Sequence, residues 1–381
     1  MKVPLFRAIG LMSGTSIDGI DAALLETDGL GYVRPLAFMP SPYDPSFRVR
    51  LRQCLGNKEG VHDLVVAAFE RELTELHADI VHQFLEQINT PAASIDLIGF
   101  HGQTIWHQPR ERATIQIGDG DLLAQLTGIT VINDFRSADV ELGGHGAPLV
   151  PLYHRALAAK LPKPTAIINI GGVANITWIG GESDNEILAF DLGPGNALID
   201  DWMLTNATQT YDEYGLLAAS GQVHTEIADR FLSHAFFRKK PPKSLDRDIF
   251  KNLMPKELNA ADGAATLTMV SARAIAKGLH YLPAKPCHLY ITGGGRLNNT
   301  LMSWIGELAN IPVSPVDDLG WSGDGLEAEA FAYLAVRSKL GLPLSVPGTT
   351  GVPRATTGGK LHIPAAPQIK NKGADRKTGS G

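Results

Sequence analysis

Apolar runs separated by small polar turns open the chain. In "FRAIGLMSGTSIDGIDAALLE" two such runs flank a polar turn, and this pattern predicts a β-hairpin. Residues 60–88 then carry apolar side chains at helical spacing, which predicts one long amphipathic helix. A strand that runs into a loop is predicted at "IDLIGFHGQTIWH". A further strand ends in the polar, Gly-rich loop of "TVINDFRSADVELGGHGAP".

The scheme of the first hairpin recurs in the middle of the chain. "PTAIINIGGVANITWIG" places an apolar strand, a Gly-Gly turn and a second apolar strand in the same order, which we interpret as an internal duplication. Strands that alternate with helices predict an α/β fold. We expect one half at residues 1–140 and the other at 141–348. The tail, 349–381, is rich in Gly, Thr, Lys and Pro, and we expect its last part, "NKGADRKTGSG", to be disordered.

Composition narrows the classes of function. The 381 residues are 44% hydrophobic, enough for one large or two ordinary domains. With 34 basic and 40 acidic residues, the chain has no bulk attraction to nucleic acid or to an anionic membrane. Cys54 and Cys287 are far apart and match no metal-binding spacing. Together with the lack of a secretory signal or a membrane-spanning apolar run, this predicts a cytoplasmic protein.

The turn of the first hairpin is rich in groups that bind anions. Gly14 and Gly19 let the backbone approach a ligand, and exposed amides in such a turn form a nest that suits phosphate oxygens. Three hydroxyl groups add donors: those of Ser13, Thr15 and Ser16. Asp18 and Asp21 can hold Mg2+ beside the nest, usually through water. No Gly-Lys-Ser/Thr follows, so the turn is not a Walker A loop. The alternative is an ordinary hairpin turn that binds no ligand.

Two further glycine turns follow strands. "NIGGVANIT" has the design of the first turn, and "ITGGGRLNN" follows a strand and opens a helix. The glycines of the last turn, Gly293, Gly294 and Gly295, either pass close to a purine or its ribose or form a tight turn. Three such turns at the ends of strands are hard to explain as three independent tight turns.

Polar side chains after predicted strands supply the candidate chemistry. Asp191 precedes a Gly-Pro-Gly turn, where it is either a base that takes a proton from a hydroxyl or water or a cap of the next helix, a role that Asn196 can also fill. His101 and Gln103 suit hydrogen bonding to a polar substrate better than metal binding. Arg136 can pair with a substrate carboxylate or phosphate.

Two of these polar residues can have a purely structural role instead. Arg136 can instead form an internal ion pair with Asp139 or Glu141. Glu327 lies in the first turn of a predicted helix, where a negative charge stabilises the helix dipole. The residues alone favour this structural role.

Several motifs together identify a family resemblance. From Arg7 to about Pro364 the chain resembles the anhydro-N-acetylmuramic acid kinases, relatives of sugar kinases, hsp70 chaperones and actin. The resemblance implies two ribonuclease-H-like halves around a nucleotide cleft, in agreement with the duplication. The motifs are "GLMSGTSIDGIDAAL", "FHGQT", "NDFR", "GGHGAPLVP", "NIGGVANIT", "FDLGPGNALID", "TGGG..N" and "DGLEAEAFA".

The resemblance also implies an activity. Such a kinase opens 1,6-anhydro-N-acetylmuramic acid with water and phosphorylates the freed O6 from ATP, giving N-acetylmuramic acid 6-phosphate in cell-wall recycling. Asp191 would be the general base. We expect the ATP-binding residues to be Met12, Ser13, Gly14, Thr15, Ser16, Ile17, Asp18, Gly19, Gly171, Gly172, Asn175, Gly293, Gly294 and Gly295. We expect the sugar to be bound by His101, Gln103, Asp134, Arg136 and Glu327.

Two positions depart from the family pattern. Most sugar kinases of the wider group carry an Asp on the first strand of the phosphate hairpin, where this chain has Met12. Asp18 is therefore the candidate anchor for Mg2+. His145 stands where Gln is more common in the family, but the flanking glycines are intact.

Two alternative functions remain at this point. A nucleotide-driven binding protein of the chaperone type would need a further domain after the two halves, and the short polar tail leaves no room for one. A kinase of another small sugar or acid is the nearer alternative. Apart from a small amino sugar we expect no nucleic-acid or membrane partner, and a homodimer stays open.

Overall fold

The strands form two sheets in a computed structural model that describes residues 4–14, 16–245 and 247–365. In chain order the strands are β1 (Phe6–Ser13), β2 (Gly19–Thr27), β3 (Val33–Pro42), β4 (Leu97–Gln108), β5 (Ala113–Ile117), β6 (Val131–Asn133), β7 (Thr165–Ile170), β8 (Val173–Ile179), β9 (Ile187–Pro194), β10 (Leu289–Thr292), β11 (Val313–Pro315) and β12 (Lys360–His362). The first sheet has the order β12-β6-β4-β1-β2-β3, with β5 paired to β4, and the second has the order β11-β10-β7-β8-β9.

The two sheets repeat one topology. In the first, β1, β2 and β3 pair antiparallel in sequence, and β4 and β6 add parallel on the other side of β1. In the second, β7, β8 and β9 pair antiparallel in sequence, and β10 and β11 add parallel beyond β7. The predicted α/β class and the duplication into ribonuclease-H-like halves are therefore confirmed by strand order and direction.

Helices cover the sheets and connect their strands. They are α1 (Pro45–Cys54), α2 (Leu64–Gln87), α3 (Gly120–Thr127), α4 (Ser137–Glu141), α5 (Pro151–Leu157), α6 (Ala197–Asn206), α7 (Leu216–Ser220), α8 (Thr225–Leu232), α9 (Ala260–Gly278), α10 (Asn299–Ala309), α11 (Leu326–Lys339) and α12 (Pro347–Thr350). The predicted long helix is α2, which begins where the Asp63 side chain accepts hydrogen bonds from the amides of Val65 and Val66. Among the described residues, no helix is long and apolar enough to cross a membrane.

Helix α11 packs directly on the first sheet, although it follows the second in sequence. A Cβ atom at Gly10 of β1 would lie 1.8 Å from the Ala328 carbonyl oxygen, and one at Gly99 of β4 would lie 2.1 Å from that of Phe331. Only glycine allows strand and helix backbones to approach this closely. The first turn of α11, which carries Glu327, is thereby fixed beside the end of β1.

The tail also returns to the first sheet. β12 pairs antiparallel with β6, and Lys360 forms an ion pair of 2.8 Å with Asp134. The first sheet therefore includes residues from the predicted tail, and the bounds of the two halves at 140 and 348 stay a prediction. The segment "NKGADRKTGSG", predicted to be disordered, lies outside the described residues.

The prediction that the strand after Ile95 gives way to a loop is wrong. β4 continues without a break from Leu97 to Gln108, so His101 and Gln103 are strand residues. Both are buried, and their polar atoms bond to groups from distant parts of the chain. Those partners satisfy the polar groups that made the segment look like a loop.

Candidate active site

Two hairpin turns face each other across a cavity of about 490 Å³, which we name the cleft cavity. The first hairpin contributes Gly14, Ser16 and Asp18, and the second contributes Gly171 and Asn175. The two turns are equivalent positions of the repeated topology, and both line this one cavity. Gly293, at the end of β10, completes this part of the lining.

A second cavity of about 210 Å³, which we name the Asp191 cavity, adjoins the first. Asp191 and Arg136 line it, with His145 from the loop between α4 and α5. The residues that line both cavities are Met12, Pro148, Val150, Asn175 and Glu327. A ligand at the hairpin turns would therefore lie next to a ligand at Asp191.

Asp191 lies within β9, opposite Asn175 of β8. Its amide donates to the Lys243 carbonyl at 3.0 Å, and its carboxylate accepts from the Leu245 amide at 2.7 Å. The carboxylate bond goes to this segment and not to a helix amide, so the helix-cap alternative has no hydrogen bond to support it among the described residues. Burial raises the pKa of Asp191 to about 6, although the Leu245 amide and the Lys243 charge act in the opposite direction. A carboxylate with such a pKa is a suitable base near neutral pH.

Arg136 lines the Asp191 cavity and is held by two protein acceptors. Its Nε and one terminal nitrogen donate to Nε2 of His101 at 3.1 and 2.9 Å, and the other donates to the Gly146 carbonyl at 2.6 Å. A guanidinium has five N–H groups, so these bonds use three. The alternative for Arg136, an ion pair with Asp139 or Glu141, is not seen among the described residues. The Asp139 carboxylate accepts instead from the Gly146 amide and from the hydroxyls of Ser345 and Thr350.

His101 stands behind Arg136 and does not line either cavity. Its Nδ1 donates to the Gly102 carbonyl at 2.7 Å, so its Nε2 is free to accept from Arg136. Burial and the Arg136 charge lower the pKa of His101 well below its usual range. The neutral ring is therefore a fixed acceptor that orients the guanidinium.

Ser13 and Gln103 support the first turn from inside the protein. Both are buried, and the Ser13 hydroxyl donates to the Gln103 side chain at 2.5 Å. The Gln103 amide donates in turn to the Gly14 carbonyl at 3.2 Å. These contacts fix the backbone of the turn, so the two residues lie behind Gly14 and outside the lining of both cavities.

Of the other residues in this turn, some shape the backbone and others line the cleft cavity. Ile17 has a positive φ of 50° and a buried side chain, and Gly19 packs so closely that a Cβ would lie 2.4 Å from the Ser41 carbonyl oxygen. Ser16 lines the cleft cavity, and its hydroxyl donates to Asp18 at 2.8 Å. Thr15 lies outside the described residues.

Four carboxylates line the cleft cavity. Asp21 of β2 lies directly across from Met12 of β1, so a carboxylate from the second strand stands beside the position where the first strand has none. Burial, and then the charges of Asp18, Glu327 and Asp324, raise the pKa of Asp21 to about 7. Burial also raises the pKa of Glu327, against the effect of Arg136. This concentration of negative charge suits a cation or a hydrogen-bond donor.

The glycine turn after β10 contributes residues to the lining of two cavities. Gly294 lines a third cavity of about 390 Å³, which we name the Tyr214 cavity, whereas Gly293 lines the cleft cavity. The Tyr214 cavity has an apolar, solvent-exposed rim made by Tyr211, Tyr214 and Leu297. Gly295 and Gly172 line neither of these cavities. A Cβ at Gly295 would lie 2.3 Å from the Ile170 side chain.

Asp134 and Glu327 differ in their surroundings. Asp134 bonds to Lys360 and lies outside the lining of the cleft and Asp191 cavities. Glu327 lines both and accepts a hydrogen bond of 3.4 Å from the Asn169 side chain. From the residues alone, Glu327 is interpreted as a side chain that stabilises the helix dipole. That interpretation does not account for its position where the two cavities meet.

Other lining residues were missed by sequence reasoning. Asp324 lines the cleft cavity and forms an ion pair of 2.8 Å with Arg296. His154 lines the same cavity, and Lys243 lines the Asp191 cavity. Of these, only Asp324 lies in a Gly-rich motif of the kind that drew attention. The other two are isolated polar residues whose neighbours come from distant segments.

The contact between His101 and Arg136 leads to a prediction. In His101→Leu the guanidinium loses one of its two acceptors and is no longer held in one orientation, so we expect the KM for the ligand of the Asp191 cavity to rise roughly tenfold or more. The KM for the ligand of the cleft cavity should change little. Steady-state kinetics with each substrate varied in turn measures this difference. In the control His77→Leu, a buried ring is lost whose Nε2 has no partner among the described residues, so both constants should stay near wild type. An unchanged KM in His101→Leu would contradict the role.

Comparison with known proteins places the chain in a family. The family model described as anhydro-N-acetylmuramic acid kinase matches residues 6–364. The anhydro-N-acetylmuramic acid kinase of Rhizorhabdus wittichii is 50% identical over 361 residues, covering 94% of this chain and 99% of that protein. The protein of the same name from Paramagnetospirillum magneticum is 50% identical over 360 residues, with the same coverage, and that from Zymomonas mobilis is 45% identical over 362 residues. This chain therefore belongs to the anhydro-N-acetylmuramic acid kinase family.

Proposed function

We infer that the protein is an ATP-dependent kinase that hydrolytically opens 1,6-anhydro-N-acetylmuramic acid and phosphorylates O6, giving N-acetylmuramic acid 6-phosphate for murein recycling. The observation that carries the inference is the junction of the two cavities. The hairpin turns of the cleft cavity suit ATP phosphates, and the Asp191 cavity beside them suits the sugar. The shared residue Glu327 lies where the γ-phosphate and the sugar would meet.

The chemistry follows from this placement. Asp191 takes a proton from a water molecule as the water oxygen attacks the anomeric carbon. The bond between that carbon and O6 breaks, and O6 then attacks the γ-phosphorus as the bond to ADP breaks. Arg136 offers charged N–H donors to an anionic group in the same cavity. Catalysis of the transfer is then largely placement and neutralisation of charge.

The nucleotide would extend from the cleft cavity toward the Tyr214 cavity. Gly293 and Gly294 line one cavity each, so the glycine turn lies between them. The exposed aromatic rings of Tyr211 and Tyr214 offer flat apolar surface to a purine. The phosphates would then meet Gly14 and Gly171 at the facing hairpin turns.

Mg2+ would accompany the nucleotide, and the residues present fit it. Among the described residues, no three His, Cys, Asp or Glu side chains are grouped closely enough to hold a metal ion. Mg2+ in nucleotide sites usually keeps several waters and uses one or two carboxylates together with phosphate oxygens. Asp18, with Asp21 beside it, would hold the ion, which supplies neutralisation of the phosphate charge.

The setting proposed for this activity is the cytoplasm, where ATP is available. The proposed partner is the small amino sugar. A kinase of another small sugar or acid is the alternative that the first experiment tests: ATP turnover should depend on the anhydro-sugar, and glucose or N-acetylglucosamine should not replace it.

An isotope experiment tests the coupled chemistry. When the reaction runs in water enriched in oxygen-18, we expect the label at the anomeric hydroxyl of the phosphorylated sugar, because the attacking oxygen comes from water. The phosphoryl group should stay unlabelled, because its new oxygen is O6 of the sugar. Mass spectrometry of the product before and after dephosphorylation locates the label. Label in inorganic phosphate, with none in the sugar, would indicate ordinary ATP hydrolysis, and the proposed function would fail.

A further inference from the structure

The side chain of Lys243 lies in a cage of three aromatic rings. Its Nζ is 4.4 Å from the ring centre of Phe236, 4.7 Å from that of Tyr281 and 5.8 Å from that of Phe190. Lys243 is only 6% exposed. Its ammonium forms no hydrogen bond or ion pair with any other residue that the structure describes. The aromatic rings therefore hold the ammonium by their faces, without a direct ion pair to a carboxylate of the described residues.

The cage is built from three separate segments that also contact one another. Phe190 belongs to β9, Phe236 to the 3-10 turn Ala235–Arg238, and Tyr281 to the 3-10 turn that follows α9. The Tyr281 hydroxyl donates to the Phe237 carbonyl at 2.7 Å, and the Phe190 ring meets the Tyr281 ring edge-on. The position of the ammonium is therefore set by the core of the second half.

The same lysine belongs to the segment that holds Asp191. The Lys243 carbonyl accepts from the Asp191 amide, and the Leu245 amide donates to the Asp191 carboxylate. Phe190, one wall of the cage, is the residue immediately before Asp191. Lys243 and Asp191 both line the Asp191 cavity.

We propose that Lys243 is a positioning residue for Asp191. The caged side chain anchors residues 243–245 against β9, and its ammonium keeps the neighbouring carboxylate in the ionised form that acts as a base. This inference rests on the role proposed for Asp191. A cage of rings suits the task better than an acidic partner, because an acidic partner would cancel the field of the ammonium at Asp191.

The electrostatic effect of Lys243 on Asp191 has the sign that this proposal requires. The Lys243 charge lowers the pKa of Asp191 against the larger effect of burial. Burial lowers the pKa of Lys243 itself to about 8, against the effect of the Asp191 charge. Lys239 and Lys277 also lower the pKa of Lys243. Other charged or titratable groups that line the cavity are Arg136, His145 and Glu327. Below pH 8 Lys243 is mostly charged, so its field acts where Asp191 titrates.

The pH profile of kcat/KM tests the proposal. A base must be ionised, so wild-type kcat/KM should fall as the pH falls through about 6, the pKa of Asp191. In Lys243→Met, which keeps an apolar stem for the rings but loses the charge, we expect this acid limb to move upward by about one pH unit. In Lys243→Arg, which keeps the charge, the limb should stay in place.

A matched control and two outcomes make the test decisive. Lys277 also has its ammonium over an aromatic ring, at 5.8 Å from Phe237, but does not line the Asp191 cavity. Lys277→Met should therefore keep the wild-type limb. If Lys243→Met lowers kcat/KM by the same factor at every pH, or leaves the profile unchanged, the proposal is overturned. Melting curves confirm that each variant is folded.

The failure of this inference is distinguishable from failure of the proposed function. If Asp191→Asn is slow but the acid limb of Lys243→Met does not move, Asp191 keeps its role and only the role of Lys243 fails. If Asp191→Asn turns over like wild type, Asp191 is not the base, and both proposals fail together.

Discussion

Asp191→Asn is expected to fold normally, to bind ATP and the anhydro-sugar, and to turn over at least on the order of 10²-fold more slowly than wild type. In the proposed reaction the carboxylate takes a proton from water, and an amide of the same shape cannot. The loss can exceed that of a simple base, because the carboxylate also favours the positive charge that develops on the sugar. The side-chain bond that Asp191 accepts from the Leu245 amide survives, since an asparagine oxygen can still accept it.

A structural aspartate provides the matched control. Asp63 caps α2 through its carboxylate, and Asn is also a good cap, so Asp63→Asn should keep both its rate and its melting temperature. If Asp191 were merely structural, Asp191→Asn would behave in the same way. Single-turnover kinetics and melting curves on the two variants separate the two cases, and near-wild-type turnover in Asp191→Asn would remove it from the mechanism.

Local pattern was sufficient to predict the repeated architecture. The hairpins at β1–β2 and β7–β8 each consist of two apolar runs around a turn of small residues, and that signal lies within about twenty consecutive residues. The repetition of the signal predicted two similar halves, and the strand orders of the two sheets confirm it. The family resemblance, and not this local pattern, implied a cleft between the halves, and the two equivalent turns do face each other across a cavity.

Polar residues buried by distant partners were not predictable in the same way. His101 and Gln103 look like loop residues because their polarity is visible in the sequence, whereas their partners are not. The Arg136 guanidinium and the Ser13 hydroxyl satisfy them across β4. A single sequence states that a polar group exists but not which group pairs with it, so burial of such residues has no local signal.

The return of α11 to the first sheet has the same physical origin. Gly10 and Gly99 are ordinary strand glycines in the sequence, and only their contact with the backbone of α11 explains them. Lys243 is a further case, because its cage joins rings from three separate segments. The roles of these residues arise from pairs of positions far apart in the chain, which periodicity does not record.

Gly14→Val is expected to remain folded while its affinity for ATP falls by at least on the order of 10²-fold, about the loss of one hydrogen bond to a charged group. Gly14 lines the cleft cavity at the turn proposed to hold phosphate. A Cβ there would lie 3.5 Å from the Ser16 hydroxyl and 3.9 Å from the Met12 side chain, which are ordinary contacts. The protein therefore tolerates the valine, and its methyl groups occupy the space that a phosphate needs.

Gly10→Val separates loss of the site from loss of the fold. The two glycines are four residues apart, but a Cβ at Gly10 would lie 1.8 Å from the Ala328 carbonyl oxygen, so this variant should lose its cooperative melting transition. Gly14→Val should keep a melting temperature near wild type while calorimetry detects weak or no ATP binding. If a folded Gly14→Val protein binds ATP with unchanged affinity, phosphate does not approach this turn, and the nucleotide must lie elsewhere in the cleft.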